Sequence, residues 1–189
     1  MAIRVINDQL LAPLTTLEVG GAAEAFVRAT SESQIIEALW YAQREQLDVT
    51  ILGGGSNSLV ADAGVSGLVV QPAIKGRTVN ASDDQVSVEV GAGEIWDDLV
   101  AWSVADGLCG LEALSGIPGW VGAAPMQNIG AYGQDVASTV DAVRVVHRGR
   151  GRAEWIPAND LQFSYRMSAF KGVWRDQFVI TAVRFRLRR

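Results

Sequence analysis

Apolar residues recur at helical spacing through residues 31–47, "SESQIIEALWYAQREQL". Ile35, Leu39 and Ala42 share one side there, while Glu32, Glu37, Arg44 and Glu45 take the other. Ser31 with Gln34 three residues later fits a capping box, so the spacing predicts a helix beginning there. The pattern then changes to short apolar runs: "DVTIL", then glycines, then "GLVVQP" from Gly67, which predict two strands. Together these make a small mixed unit of helix and sheet. Pro72 and "KGRTVNASDD" predict a break. Beyond it, "QVSVEVGAG" alternates as a strand does, and "EIWDDLVAWSVADGL" predicts a second helix. Trp96, Leu99, Val100 and Val104 form that helix's apolar stripe, with Gly107 as its stop. The tail is strand-like: "TVDAVRVVH", a turn at "RGRGR", a polar segment, then "QFVITAVRFRLRR". Arg184, Arg186, Arg188 and Arg189, interleaved with Phe185 and Leu187, predict one solvated strand face, with a small anion-contacting patch as the alternative. The class is α+β, with a subdomain boundary near 72–76 that separates 1–73 from 74–189.

Composition changes this picture little. The chain has 189 residues, 49% hydrophobic and 20% charged, enough for a sizeable core. Its net charge of −5 argues against a nucleic-acid surface. One cysteine and one histidine exclude an internal disulfide and a His/Cys metal centre. Cys109 is expected as a small buried apolar residue, and His147 as a surface residue beside a turn. There is no basic start leading into a long apolar stretch, and no uninterrupted apolar run of bilayer length. The expectation is a cytoplasmic protein without a membrane or nucleic-acid partner.

The glycines carry the candidate chemistry. "GGGSN" at 53–57 is followed by no Lys-Ser/Thr pair, so it is not a Walker motif, and Ser58 stands where a dinucleotide fingerprint needs glycine. It is either a tight turn or a bare backbone whose amides cradle an anion. "SGIPGWVGAAPMQNIGAYG", residues 115–133, is too long and irregular for simple linkage. A ligand touching all these loops would be the size of a dinucleotide; packing glycines at strand crossovers are the alternative.

"ILGGGSNSLV", "LEALSGIPGWVGAAPMQNIGAYG" and "FSYRMSAFK", in this order and spacing, resemble UDP-N-acetylenolpyruvoylglucosamine reductases. "TTLEVGGAAEAFVRATS" is similar to the opening segment of that family, so the resemblance covers nearly the whole chain. It implies a two-subdomain FAD-binding fold of the vanillyl-alcohol-oxidase (PCMH) type. Gly53, Gly54, Gly55, Ser56 and Asn57 would then cradle the FAD diphosphate. Ser115, Gly116, Ile117, Pro118 and Gly119 would line the rest of the cofactor, with Gly122, Ala123, Gln127, Asn128, Gly130, Ala131, Tyr132 and Gly133. FAD would be held without a covalent bond. Arg166 matches the family's active-site arginine, a guanidinium suited to a carboxylate or to developing negative charge. Tyr132 and Tyr165 either line the same pocket or pack in the core.

The implied reaction passes hydride from NADPH to FAD, then to the enolpyruvyl double bond of the UDP-sugar. An acid protonates the adjacent carbon. The family's proton-donating serine and catalytic glutamate belong to a further domain that also grips the UDP-sugar, and no segment here matches it. Neither Ser168 nor Glu112 stands in for these two, because neither sits in the family motif that carries the serine or the glutamate. The expectation is an FAD-binding unit with little or no turnover, which engages UDP-N-acetylglucosamine enolpyruvate only if the substrate domain is supplied. Self-association through the surface left by that domain is expected too. Gly54→Val should abolish FAD binding while the fold stays intact. A stand-alone flavin-binding module is the alternative.

Overall fold

The computed structural model describes residues 2–82 and 85–189. Its first sheet contains β1 (Ile6–Leu10), β2 (Ala22–Ala29), β3 (Val49–Ile51) and β4 (Val65–Pro72), in the order β1-β2-β4-β3. Strands β2, β4 and β3 are parallel, and β1 is antiparallel to β2. Helix α1 (Glu32–Arg44) crosses from β2 to β3. The Ser31 hydroxyl accepts the Gln34 amide as its spacing predicts, but the return bond to Gln34 Oε1 comes from the Thr30 amide (2.7 Å). Ile35, Ala38, Leu39 and Ala42 are buried against Ala25, Val27, Leu68 and Val70.

The second sheet contains β5 (Arg77–Ala81), β6 (Gln85–Gly91), β9 (Val140–His147), β10 (Ala153–Pro157) and β11 (Phe178–Arg188). Its order is β10-β9-β11-β6-β5, antiparallel throughout. Between β6 and β9 lie α2 (Trp96–Ala105) and a hairpin of β7 (Gly130–Ala131) and β8 (Gln134–Asp135). Strand β5 occupies the middle of the stretch expected to be a break. It is exposed along its whole length and is defined by its ladder to β6, so no burial pattern marks it. Asp83 and Asp84, the end of that stretch, lie outside the described residues.

Trp96 and Phe185 meet at 6.0 Å in the core between α2 and the sheet, beside Leu99 and Val100. Val104 departs from the expected stripe: it is exposed, and Ser103 is buried in its place, its hydroxyl donating to the Val100 carbonyl (2.8 Å). That bond removes the cost of burying the hydroxyl. Cys109 is likewise exposed rather than buried, because its backbone pairs with Arg188 at the sheet margin. His147 is half-buried, its ring packed edge-on against Phe178. Along β11, Phe185 and Leu187 point inward, while Arg184 stacks 4.2 Å over Trp155 and pairs with Glu89.

Helix α1 also grips the second sheet. Val146 and Val179 join its apolar cluster, and Glu32 accepts two bonds from Arg144 (2.8 and 3.1 Å) and one from Thr181 (2.8 Å). These contacts tie the two sheets together through α1. No helix among the described residues is long and apolar enough to cross a membrane.

Candidate functional site

β3 ends at Ile51, and Leu52, whose amide donates to the Val70 carbonyl, is the last residue tied to the sheet before the glycines. Among the described residues, no acceptor takes a hydrogen bond from the amide of Gly53, Gly54, Gly55, Ser56 or Asn57. Five successive free amides lie at the mouth of a cleft of about 380 Å³, which these five residues line. Amides in that state are donors for an anion. The walls come from both sheets and the loop between α2 and β7: Thr50, Ile51 and Pro72 on one side, and Phe178 and Ile180 with Trp120, Gly122 and Ala123 of the loop on the other.

A second cleft, of about 370 Å³, shares Ser56, Asn57, Trp120, Ala123 and Met126 with the first and continues along Ile117, Pro118, Gln127 and Lys171. Together they form a bent channel that suits one long ligand better than a small ion. The two glycine segments are locked to each other around it. Ser56 Oγ donates to the Pro118 carbonyl (3.2 Å), and Asn57 Nδ2 donates to Gln127 Oε1 (3.4 Å). Gly54 lies under the Trp120 ring, where a Cβ would fall 2.8 Å from the indole, and Gly122 is pressed equally close to Ala92. Ser115 and Gly116 line neither cleft; the Asp97 carboxylate holds them by bonds of 3.0 and 2.7 Å. Gly119 also stands off the walls, directly against Ser56.

The remaining expected residues form a neighbouring hollow. Asn128, Gly130, Ala131, Tyr132 and Gly133 line about 290 Å³ together with Tyr165 and Arg166. Arg166 donates to the Gly130 carbonyl (2.6 Å), and Lys171 from the second cleft reaches the Arg166 carbonyl (3.4 Å). Tyr132 is 94% exposed and Tyr165 90%, so neither packs in the core. Asn128 is committed to bonds within the protein. It is buried, donates to Asp135 and to the Ser164 carbonyl, and accepts the Ala137 amide. Ser168 is buried and donates to the Met126 carbonyl (2.6 Å), while Glu112 accepts the Gly110 amide.

The channel is flanked by cations. Arg28 and Lys75 each lie 5.8 Å from the centre of the Trp120 ring, and Arg148 lines the first cleft with its guanidinium bonded to the Val49 carbonyl. Lys75 is placed by Glu94; burial alone would raise the pKa of that carboxyl, but the Gly76 amide and the ammonium hold it below the usual range. Trp120 and Phe170 stand inside segments the sequence singles out without being marked there as wall residues, and Arg148 and Trp174 carry no local signal, since the cleft forms only when β3 and β11 come to line it together.

Residues 23–156 match the family of FAD-binding domains. The UDP-N-acetylenolpyruvoylglucosamine reductase of Salinispora arenicola is 46% identical over 180 residues, which are 95% of this chain and 49% of that protein. The chain therefore spans about half the length of the curated relatives it matches. The crystal structure of UDP-N-acetylenolpyruvylglucosamine reductase from Thermus caldophilus superposes with a TM-score of 0.76 at 31% identity, covering 98% of this chain and 62% of that one. A VAO-type flavoprotein from Myceliophthora thermophila, at 18% identity and a TM-score of 0.63, covers 89% of this chain and 32% of that one and shares the fold. The fold is the two-subdomain FAD-binding fold of the vanillyl-alcohol-oxidase (PCMH) type.

Proposed function

The chain belongs to the family of FAD-binding domains, and from that premise we propose that the channel holds one FAD, diphosphate against residues 53–57. The observation that carries this is the row of five amides with no acceptor of their own. The residues fit the cofactor: a Cβ at Gly53 would meet nothing nearer than Ala123 at 3.9 Å, so the bare backbone there leaves room for a ligand. The amides neutralise the diphosphate charge, and Trp120 and Ala123 exclude water beside it. No histidine or cysteine lines either cleft, which supports noncovalent binding.

The larger reading is that the chain is the FAD-binding part of a UDP-N-acetylenolpyruvoylglucosamine reductase of peptidoglycan synthesis, with subdomains 1–73 and 74–189 facing each other across the cofactor. FAD, when bound, supplies the hydride chemistry, with NADPH as the source. Arg166 presents its guanidinium at the rim, where it would hold the substrate carboxylate. Neither Ser168 nor Glu112 stands free as a proton donor, and a missing general acid costs about two to four orders of magnitude in rate. On this reading the chain by itself binds FAD, and reduction of the UDP-sugar requires that the substrate domain be supplied.

The test is the visible spectrum of the purified chain after FAD is added and the excess removed by desalting. Flavin bands that stay with the protein, and bleach on adding NADPH, support the full reading. Bands that stay but do not bleach reduce it to a flavin-binding module. A folded, colourless protein overturns it.

A further inference from the structure

Behind the glycine loop, on the face of β4 away from the cleft, stands Gln71. Val69, two residues before it on the same face, packs with Leu11, Phe26 and Leu52, whereas Pro72 on the other face lines the cleft. Gln71 is 2% exposed, and its Nε2 donates to the Gly53 carbonyl (3.1 Å). Its Oε1 is buried with no partner among the described residues. The reverse orientation of the amide would set two oxygens against each other, so the donor assignment stands on the geometry. An unpaired buried oxygen is a cost, and an apolar side chain of equal volume would avoid it.

What the cost secures follows from the peptide plane. The Gly53 carbonyl and the Gly54 amide belong to one trans unit and point in opposite directions. Fastening the carbonyl behind the loop turns the Gly54 amide out toward the cleft. The same device recurs two residues on, where the Thr16 amide donates to the Gly55 carbonyl (3.3 Å) and so turns the Ser56 amide outward. The two fastenings alternate along the loop as the outward amides do.

We propose that Gln71 is the positioning residue of this anion cradle: its side-chain amide, together with the Thr16 backbone amide, fastens the loop carbonyls from behind and aims the Gly54 and Ser56 amides at a bound diphosphate. Gln71 does not touch the ligand. The inference rests on the reading of the cleft as the FAD site and assigns its orientation to a residue outside the channel.

Gln71→Met keeps the volume, removes the donor and also removes the orphaned oxygen. It therefore separates positioning from structure by sign. The apo protein should melt at the wild-type temperature or above it, while FAD binds about tenfold more weakly, the scale of one lost hydrogen bond. The ³¹P resonances of FAD bound to the variant should move toward their free positions. Gln71→Asn, which keeps the amide one methylene short of Gly53, should show the same weakening and serves if the Met variant does not fold. FAD affinity within twofold of wild type in the folded variant overturns the proposal. So does weaker binding with a lowered apo melting temperature and unmoved ³¹P resonances, the signature of a structural role. A wild-type chain that takes up no FAD overturns the cofactor reading itself, a result distinct from either.

Discussion

A methyl group added at Gly55 would collide with the Leu14 carbonyl oxygen, in a backbone with φ +70°. At Gly54 it would strike the Trp120 ring at 2.8 Å, and at Gly53 it would reach only Ala123, at 3.9 Å. Neighbouring glycines are thus required for separate reasons: backbone at Gly55, a packed indole at Gly54, ligand space at Gly53. Gly55→Ala should destabilise the apo protein by at least about 1–3 kcal/mol, seen as a lower melting temperature. Gly53→Ala should melt with the wild type yet bind FAD about tenfold more weakly, read by titration. Unchanged affinity in that variant would remove the ligand from Gly53. Gly54→Val does not make the clean test that the sequence suggests, because its side chain must displace Trp120. Arg166→Ala should leave FAD affinity within about twofold, since the exposed guanidinium bonds the Gly130 carbonyl and Arg166 lines the neighbouring hollow rather than either cleft. The sequence showed that the backbone must be bare here, but which glycine answers to the ligand depends on neighbours 40 to 70 residues away, Leu14 and Trp120 among them.

Elements marked by their own chemistry were legible from the sequence. Ser31 and its apolar stripe announced α1, and alternating valines announced β6. Strand β2, "AAEAFVRA", carries helix-forming residues and becomes a strand only because β1 and β4 flank it. The short β7–β8 hairpin likewise had no pattern long enough to detect. Helix α1 does more than its pattern tells. The Arg144 hydrogen bonds hold the Glu32 carboxyl below the usual range against the opposing effect of burial, with Thr181 helping. A depressed pKa contributes stability that is complete above the ordinary carboxylate value of 4.5 and is lost as pH falls through the lower folded value. Glu32→Gln should therefore cost about 1 kcal/mol at pH 7, discounted for partial exposure, and the gap from wild type should close in acid. Denaturant melts at pH 7 and near pH 3 check it; a gap independent of pH would mean that the pair does not titrate with folding.

At the scale of the whole molecule, the two sheets meet along β4 and β11, β3 and β11 line the first cleft together, and the channel exists only between the sheets. This is why the long segment 115–133 was readable as functional but its partners were not. Arg148, Trp174 and Phe178 reach the cleft through sheet order, which no spacing encodes. A ligand spanning both sheets should bind only the folded state and stabilise it by about 2.7 kcal/mol at a hundred times its dissociation constant. Thermal melts with and without FAD should separate by several degrees, while riboflavin, lacking the diphosphate, should shift the melt far less. The most direct measurement is a ¹H–¹⁵N spectrum of the labelled chain titrated with FAD, reading the amides of residues 53–57. The account predicts large shifts there, greatest at Gly54 and Ser56, with smaller ones at Ile117 and Gln127. Bound flavin with those five amides unmoved would contradict it.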